Sequence, residues 1–406
     1  MTSATAAYRK DLAGRGSSFG ERDGEWITVA SLAERAADAQ SDAQDVAQRV
    51  WTSAIDAATH ALGPTELDRL SAREWGTGWS DFDPLTLIGI VMHHAGAVDL
   101  SAVVLDSLLR VRRGTPDLAY GRALAERSRV AYFAGEYEIA EDLYKQVDRI
   151  GHRLSSVELR ARATNGFTSL AQVRGNYPAM LEAATRGLAL AEQTGIPRLR
   201  WNARYSIMMG TALFHQYDDA LVHGWALFNL GRGDEVGEGL ALHALGQLLF
   251  EMGDVDAARA AFTAVVSRTL PSYRLLSALG SLASVTALSP AHRETLDWAV
   301  AEVEGLRNSG ASPWAYADAL LDCVVALRDV REVARARSLL DEALVITKAH
   351  GFHALQFRAE GIELAVVTSQ PERAAVAASG IEIVRSVRRL APRRLPRHVR
   401  MTAARG

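Results

Sequence analysis

Three short stretches carry the residue types from which catalytic or metal sites are built. His93 and His94 are adjacent, but successive residues of a helix point about 100° apart, so two neighbouring imidazoles do not comfortably chelate one metal ion. Residues 231–239, GRGDEVGEG, are rich in glycine like a phosphate-binding loop, yet no strand precedes them, which favours a loop between helices. Residues 75–83, WGTGWSDFD, could suggest acid–base or carbohydrate chemistry, although aromatic residues beside a loop more often pack it onto the helices beneath.

The remaining nucleophile, Cys323, lies in the apolar segment LLDCVVAL and is interpreted as a small buried hydrophobic residue. The sequence contains no Walker loop, no Gly-x-Ser-x-Gly, no His-Glu-x-x-His and no set of kinase motifs. These observations predict a protein that is not an enzyme and has no cofactor or metal. An enzyme with its site between Trp75 and Asp83 is kept as a third alternative.

Composition bounds the class of protein. The chain has 406 residues, of which 48% are hydrophobic, enough for a continuous core. A net charge of -3 argues against a surface built wholly for nucleic acid or anionic membrane. One cysteine forms no intrachain disulfide, and the longest apolar run, residues 85–92, is far shorter than a bilayer span. We therefore expect a soluble protein of the reducing cytoplasm.

The charge is unevenly distributed. Residues 385–406 contain eight arginines and no acidic residue, which leaves about -11 for the rest of the chain. Two prolines in this stretch predict that no regular helix continues beyond Leu390. The stretch is interpreted either as a basic arm for nucleic acid, anionic lipid or an acidic partner, or as an uncovered terminus. Seven of these eight arginines are the candidate contact residues of the basic tail: Arg385, Arg388, Arg389, Arg393, Arg394, Arg397 and Arg400.

Helical periodicity dominates the rest of the chain, and strand signals are almost absent. We expect a flexible lead over residues 1–25, a helical N-terminal segment over 26–83, a helical array over 84–390 and the basic tail over 391–406. Turn residues recur within the array: Gly135, Gly175, His215 and Gly253 are separated by 40, 40 and 38 residues. A period of this size indicates helical hairpins stacked into a solenoid, because one hairpin cannot bury its apolar face alone.

Residues 244–266, ALGQLLFEMGDVDAARAAFTAVV, resemble a tetratricopeptide repeat. The resemblance is carried by Leu245-Gly246 in the first helix, Leu249 and Phe250 before the turn, Gly253-Asp254 at the turn, and Ala258 and Phe262 in the second helix. Its near-40-residue period is similar to that of repeats in bacterial regulatory proteins, including Rap-type peptide-sensing regulators. The resemblance implies an all-α, right-handed α-α superhelix of about seven to eight hairpins after a short helical N-terminal segment.

The resemblance also implies a binding groove on the concave surface formed by the first helices. Arginine and asparagine there could clamp a carboxylate or an acidic peptide, with Tyr205 and Phe250 as apolar anchors, although the solvated faces of any arginine-rich helical protein look similar. The groove positions are Arg122, Arg129, Tyr132, Arg162, Asn165, Gln172, Asn202, Tyr205, Met209, His243, Gln247 and Phe250. The expected function is that of a regulatory adaptor or sensor that binds a protein or peptide segment. The alternative is a nucleic-acid-associated transcriptional regulator that uses the basic tail.

Overall fold

The computed structural model describes residues 98–111, 116–270, 272–307, 313–350, 352–362, 377–392 and 394–401, with nine isolated positions between 29 and 90. Fifteen α-helices, one short 3-10 helix and two two-residue strands lie in these ranges. The helices are α1 Val98–Val111, α2 Leu118–Phe133, α3 Tyr137–Arg153, α4 Val157–Val173, α5 Tyr177–Thr194, α6 Pro197–Leu213, α7 Tyr217–Leu230, α8 Glu235–Glu251, α9 Val255–Val266, α10 Ser272–Ala287, α11 Arg293–Gly305, α12 Pro313–Asp329, α13 Val333–His350, α14 His353–Glu360 and α15 Ala378–Leu390. The strands are β1 Thr269–Leu270 and β2 Arg400–Met401.

The chain divides into two compact units, residues 1–207 with 405–406, and residues 208–404. In the first unit, α2 packs on α3, α3 on α4 and α4 on α5, and α2 also contacts α4. The first helices of two successive hairpins are thus neighbours, as in a helical repeat array. Their apolar faces meet in a core that includes Leu124, Val147 and Leu159, all buried.

Five of the hairpin turns share one backbone arrangement, whereas the α10–α11 turn contains the 3-10 helix Pro290–His292. At the turn between α2 and α3, Gly135 has a φ of 81°, its N–H donates to the carbonyl of Tyr132, and the N–H of Glu136 donates to the carbonyl of Ala131. This pattern closes the end of a helix with a left-handed residue, which glycine adopts at least cost. Gly175 and Gly253 repeat it, and the same turn is made without glycine at His215 (φ 57°) and at Arg331 (φ 67°). The recurring turn predicted from the sequence is confirmed.

Small residues allow close approach between neighbouring helices. A Cβ atom on Gly166 of α4 would lie 2.4 Å from ring carbons of Tyr144 on α3, and one on Gly246 of α8 would lie 2.7 Å from the ring of Phe262 on α9. Because interiors pack to nearly crystalline density, each ring fills the space that its glycine leaves. The role expected for Gly246 and Phe262 from the repeat pattern is therefore confirmed.

The second unit continues with hairpins α8–α9, α10–α11 and α12–α13, followed by α14, which packs on α13 and α12. Its last helix, α15, makes its principal contacts with α9 and α7. Beyond α15, the chain pairs β2 in parallel with β1, so that Thr269 lies opposite Arg400 and Leu270 opposite Met401. As expected from its prolines, this stretch does not extend the helix past Leu390.

Candidate functional site

A chain of ion pairs joins the first helices α2 and α4 of two successive hairpins. Arg122 of α2 donates to both carboxylate oxygens of Glu158 on α4, at 3.0 Å from Nε and 2.7 Å from Nη2. Arg162 of α4 donates from Nε to Glu158 at 3.0 Å, and its Nη1 lies 3.7 Å from Oε1 of Glu126 on α2. Arg129 donates from Nε to Oε2 of Glu126 at 2.8 Å. We call these five residues the α2–α4 ion network.

The α2–α4 ion network is largely withdrawn from solvent. The side chains of Glu126 and Arg162 are 4% and 7% exposed, whereas those of Arg122 and Arg129 are 21% and 17% exposed. Burial alone would raise the pKa of Glu158, but the neighbouring Arg162 and Arg122 outweigh it and hold that pKa below its usual value. The network contains three guanidinium groups and two carboxylates, and Arg122 and Arg129 are the cations that solvent reaches most easily.

The structure brings together three arginines that the sequence analysis assigned to the groove, but it adds two carboxylates that the sequence analysis did not include. Glu126 precedes Arg129 by three residues and Glu158 precedes Arg162 by four. These spacings place each pair on one face of a helix, and from them the two glutamates could have been predicted as partners of the arginines. Because the guanidinium groups already bond to the two glutamates, Arg162 acts first as a link between helices.

Two tyrosines lie beside the network. Tyr144 of α3 is 6% exposed, and burial raises its pKa above the usual value although Arg129 opposes the shift. Tyr132, assigned to the groove, is half-buried. Burial is the main cause that raises its pKa, and the nearby Tyr137 adds to the shift. Its ring lies edge-on to that of Phe133, with centroids 5.3 Å apart. Both phenols are therefore neutral hydrogen-bonding groups at neutral pH rather than acids.

Asn165 and Gln172 occupy other positions on α4. The Nδ2 atom of Asn165 is buried and has no hydrogen-bond partner within the described part of the chain. Its Oδ1 faces the close approach to α5, where a Cβ on Gly187 would lie 3.3 Å away. Gln172 is partly exposed, and its backbone carbonyl accepts a hydrogen bond from the N–H of Gly175 in the turn at 3.0 Å. These two residues are therefore not part of the ion network.

An aromatic pair stands on α6. The rings of Trp201 and Tyr205 are stacked, with centroids 5.2 Å apart and an interplanar angle of 11°. Tyr205 and the partly exposed Asn202 belong to the predicted groove positions, whereas Trp201 does not. Because residues four positions apart are neighbours on a helix surface, this stacking of Trp201 on Tyr205 could have been predicted from the sequence. The stack offers a flat apolar surface beside polar side chains.

In the second unit, His243 of α8 is held by two serines of α10. Its Nε2 lies 3.2 Å from Oγ of Ser281 and 3.4 Å from Oγ of Ser277. Burial, together with repulsion from Arg274, lowers the pKa of His243 to about 4. The imidazole is therefore neutral at pH 7 and supplies no positive charge to an acidic ligand. The other groove positions of this unit, Met209, Gln247 and Phe250, are each partly exposed.

The second unit also has a charged cluster that the sequence analysis missed. Arg358 of α14 donates to Asp318 at 2.6 Å and to Asp322 at 2.5 Å, both on α12. Burial raises the pKa of Asp322 to about 6, and Arg358 only partly offsets it. Gly280 of α10 allows this arrangement, because a Cβ there would lie 2.6 Å from Oδ2 of Asp322. Two carboxylates against one guanidinium give this cluster a negative excess when both are ionised.

Several arginines of the basic tail are paired. Arg388 donates to both oxygens of Asp254 at 2.7 and 3.0 Å, and Arg385 and Arg389 lie 3.5 and 3.8 Å from the carboxylate of Glu382. Beyond α15, His398 and the N–H of Val399 contact the carboxylate of Glu302 on α11 at 3.0 and 3.1 Å. The other tail positions are the exposed Arg394 and Arg397, Arg400 in β2, and Arg393, which lies outside the described residues.

Of the remaining candidate catalytic and metal-binding residues, the structure describes only Cys323. Cys323 is fully buried and burial raises the pKa of its thiol, which confirms its interpretation as a core residue. Within the described ranges, no group of three or more His, Cys, Asp or Glu side chains is arranged to hold a metal ion. In the same ranges, no helix has the length and apolar character to cross a bilayer. The candidates Trp75, Trp79, Asp81, Asp83, His93 and His94 lie outside the described residues.

Comparisons with known proteins bear on the fold. No protein-family model and no curated protein matches the sequence. Among solved structures, the chain is similar to a Signal Transduction ATPase with Numerous Domains (STAND) protein with a tetratricopeptide repeat sensor from Pyrococcus horikoshii, at 12% identity over 84% of this chain and 55% of that chain, with a TM-score of 0.51. A Rap protein complexed with competence and sporulation factor matches at 13% identity over 90% of this chain and 97% of that chain, with a TM-score of 0.43.

This chain thus spans about half the length of the STAND protein's structure. At 12% identity, the likeness to that structure bears on the fold alone. Together with the recurring turns and paired helices, it shows a helical repeat architecture of the kind predicted from the sequence.

Proposed function

We propose that this chain, a tetratricopeptide-like helical repeat protein, is a non-enzymatic cytoplasmic adaptor or sensor that binds a peptide or protein segment on its first helices. Such arrays present extended surfaces rather than closed pockets, which suits a partner of extended chain. The tetratricopeptide repeats of the STAND protein are described as a sensor, and we extend that role to this chain.

The α2–α4 ion network carries the proposal. Two of its guanidinium groups, those of Arg122 and Arg129, remain partly exposed. A partner carboxylate that approaches these two arginines meets charge-assisted donors already held in place by Glu158 and Glu126. Because the donors are positioned before binding, little side-chain entropy is lost when the partner arrives. We therefore assign the partner an acidic side chain or a C-terminal carboxylate at this point.

The test is affinity capture from native lysate followed by mass spectrometry. Arg122→Gln combined with Arg129→Gln removes the two accessible charges and leaves Arg162 in place between the helices. Arg153→Gln, an exposed arginine in the last turn of α3, is the matched control. We expect discrete proteins captured by the wild type and by the control to be lost with the double variant.

A synthetic peptide from a captured protein then gives the affinity by fluorescence anisotropy. Charge-assisted contacts of this kind contribute about 1.5–3 kcal/mol each, so we expect the double variant to weaken binding at least about tenfold. An unchanged capture profile, or a peptide whose affinity is the same for the wild type and the double variant, would refute the assignment of this surface.

The alternative, a nucleic-acid-associated regulator that acts through the basic tail, has weaker support. Arg388, Arg385 and Arg389 all have carboxylate neighbours, which reduces the positive charge available to phosphates. Arg394 and Arg397 are the exposed tail arginines without such a neighbour among the described residues. A gel-shift titration at two salt concentrations with Arg394→Gln and Arg397→Gln combined would support the alternative only if binding is salt-dependent and is lost in this variant.

A further inference from the structure

A pocket of about 380 Å³ lies among α3, α4 and α5 of the first unit. Its lining residues come from all three helices: Asp148 and His152 from α3, Arg160, Thr164 and Phe167 from α4, and Arg186, Ala189 and Leu190 from α5. Small-molecule sites in proteins range from about 300 to 1,000 Å³, so the volume suits a compact ligand.

The floor of the pocket is apolar and anchored in the core. Phe167 packs against two core clusters of the first unit, and its ring lies edge-on to that of Tyr144 with centroids 6.2 Å apart. Leu190 packs against a third cluster. Thr164 turns its hydroxyl back to the carbonyl of Arg160 at 2.8 Å, which satisfies its hydrogen bond within α4. The apolar lining is therefore held in place by the hydrophobic core beneath it.

Two arginines give the pocket its charge. The guanidinium groups of Arg160 and Arg186 form no hydrogen bond or ion pair with any residue that the structure describes, whereas most of the arginines on α2 and α4 have a carboxylate partner. The inner part of the Arg160 side chain passes over Gly151, where α3 and α4 approach closely, since a Cβ on that glycine would lie 2.9 Å from Cγ of Arg160. Asp148 has a partner in His152, with Nε2 and Oδ2 3.7 Å apart. Among the lining side chains, the two guanidinium groups outnumber the single carboxylate of Asp148 by one.

We infer that this pocket binds a small organic anion, a compact aromatic or branched aliphatic body with one carboxylate or sulfonate group. The body would lie on Phe167, Ala189 and Leu190, and the anionic group would accept hydrogen bonds from Arg160 and Arg186. Guanidinium groups are suited to this role because their planar donors match the two oxygens of a carboxylate. Neither guanidinium has to break an existing ion pair in order to bind, in contrast to those of the α2–α4 ion network.

Two fluorescent probes that share their ring system test the inference on the full chain. 8-Anilinonaphthalene-1-sulfonate carries the anionic group, and N-phenyl-1-naphthylamine has the same rings without it. Arg160→Gln combined with Arg186→Gln removes the charges and keeps the inner part of each side chain. Ala189→Trp fills the pocket and keeps both arginines. Arg337→Gln, an exposed arginine of α13 in the second unit, is the control. Circular dichroism and thermal melting establish that each variant is folded before titration.

We expect the double arginine variant to raise the Kd for the sulfonate at least about tenfold and to leave the Kd for the neutral probe within about twofold, because only the anion loses its charged donors. Ala189→Trp should weaken the binding of both probes, and Arg337→Gln should change the binding of neither. The inference is overturned if the sulfonate binds the double arginine variant as tightly as the wild type. It is equally overturned if the double arginine variant weakens the binding of both probes to the same extent, or if Ala189→Trp weakens the binding of neither probe.

Discussion

Arg388 of α15 donates two hydrogen bonds to the carboxylate of Asp254, a residue 134 positions earlier in the chain. The same carboxylate accepts from the N–H of Ala257 at 3.2 Å and so caps the N-terminus of α9. Asp218 at the start of α7 accepts from the N–H of Ala377 at 2.9 Å, which holds the start of α15. The last described helix, α15, is thus attached to α7 and α9, which lie near the middle of the sequence.

Arg388→Gln is expected to loosen α15. Arg388 is 42% exposed, so solvent screens the pair, and we expect a local loss of about 1 kcal/mol, equivalent to about fivefold faster amide exchange over residues 378–390. Hydrogen exchange followed by mass spectrometry measures this directly. Arg385→Gln removes only an exposed pair within α15 and should leave exchange nearly unchanged. Equal exchange in both variants would show that the Arg388–Asp254 pair does not hold the helix.

Arg162→Met is expected to destabilise the first unit strongly. The substitution leaves the almost fully buried Glu126 with Arg129 as its one ion-pair partner among the described residues, and it removes one of the two cations that contact Glu158. Loss of one partner from a buried network costs about 3 kcal/mol. Arg174→Met, which removes an exposed pair with Glu141, should cost under about 1 kcal/mol. Urea denaturation measures both values, and similar losses would argue against a structural role for Arg162.

Gly166→Ala is expected to destabilise the fold although alanine is the better helix former. The added methyl would meet the ring of Tyr144, and overpacking of this kind costs about 1–3 kcal/mol, more than the roughly 1 kcal/mol gained in helix propensity. Gly305→Ala in α11 meets nothing within 4 Å and should be neutral or slightly stabilising. Thermal melting of the two variants tests the contrast, and a stabilised Gly166→Ala protein would contradict the close approach of α3 and α4.

Asp322 is expected to make stability fall as pH rises. Its pKa is raised from 3.8 to about 6 in the folded protein, mainly by burial, so the folded state holds a proton that the unfolded state releases. Its contribution is fully present below pH 3.8 and is lost as pH rises through about 6. Asp322→Asn cannot release a proton. The free energy of unfolding of the wild type, relative to the variant, should therefore fall by about 2 kcal/mol between pH 4 and pH 7.

Urea denaturation of both proteins at pH 4, 5, 6 and 7 gives this difference. Subtracting the variant removes the contributions of carboxyl groups that do not interact with Asp322, such as Glu158, whose lowered pKa acts in the opposite direction at acid pH. A difference that is constant over this range, or that grows with pH, would contradict the raised pKa of Asp322.

Local signals determined the secondary structure and the repeat. The turn at Gly135 needs a residue that tolerates positive φ and hydrogen bonds that span no more than five positions, so its pattern is readable in a short segment. Capping is equally local, as with Asn176, whose side chain accepts from the N–H of Ala179 at 3.2 Å. The 40-residue spacing of such signals was sufficient to predict stacked helical hairpins.

Charge partners depended on the tertiary structure. The sequence analysis selected Arg122 and Arg162 from repeat positions, but their shared partner Glu158 became evident only when α2 and α4 were placed side by side. Electrostatic interaction depends on distances of a few ångströms and on local burial, and a sequence specifies neither for residues on different helices. For the same reason, the sequence does not distinguish an exposed arginine of the basic tail from one that pairs with the buried Asp254, and only the packing of α15 shows that Arg388 makes this pair.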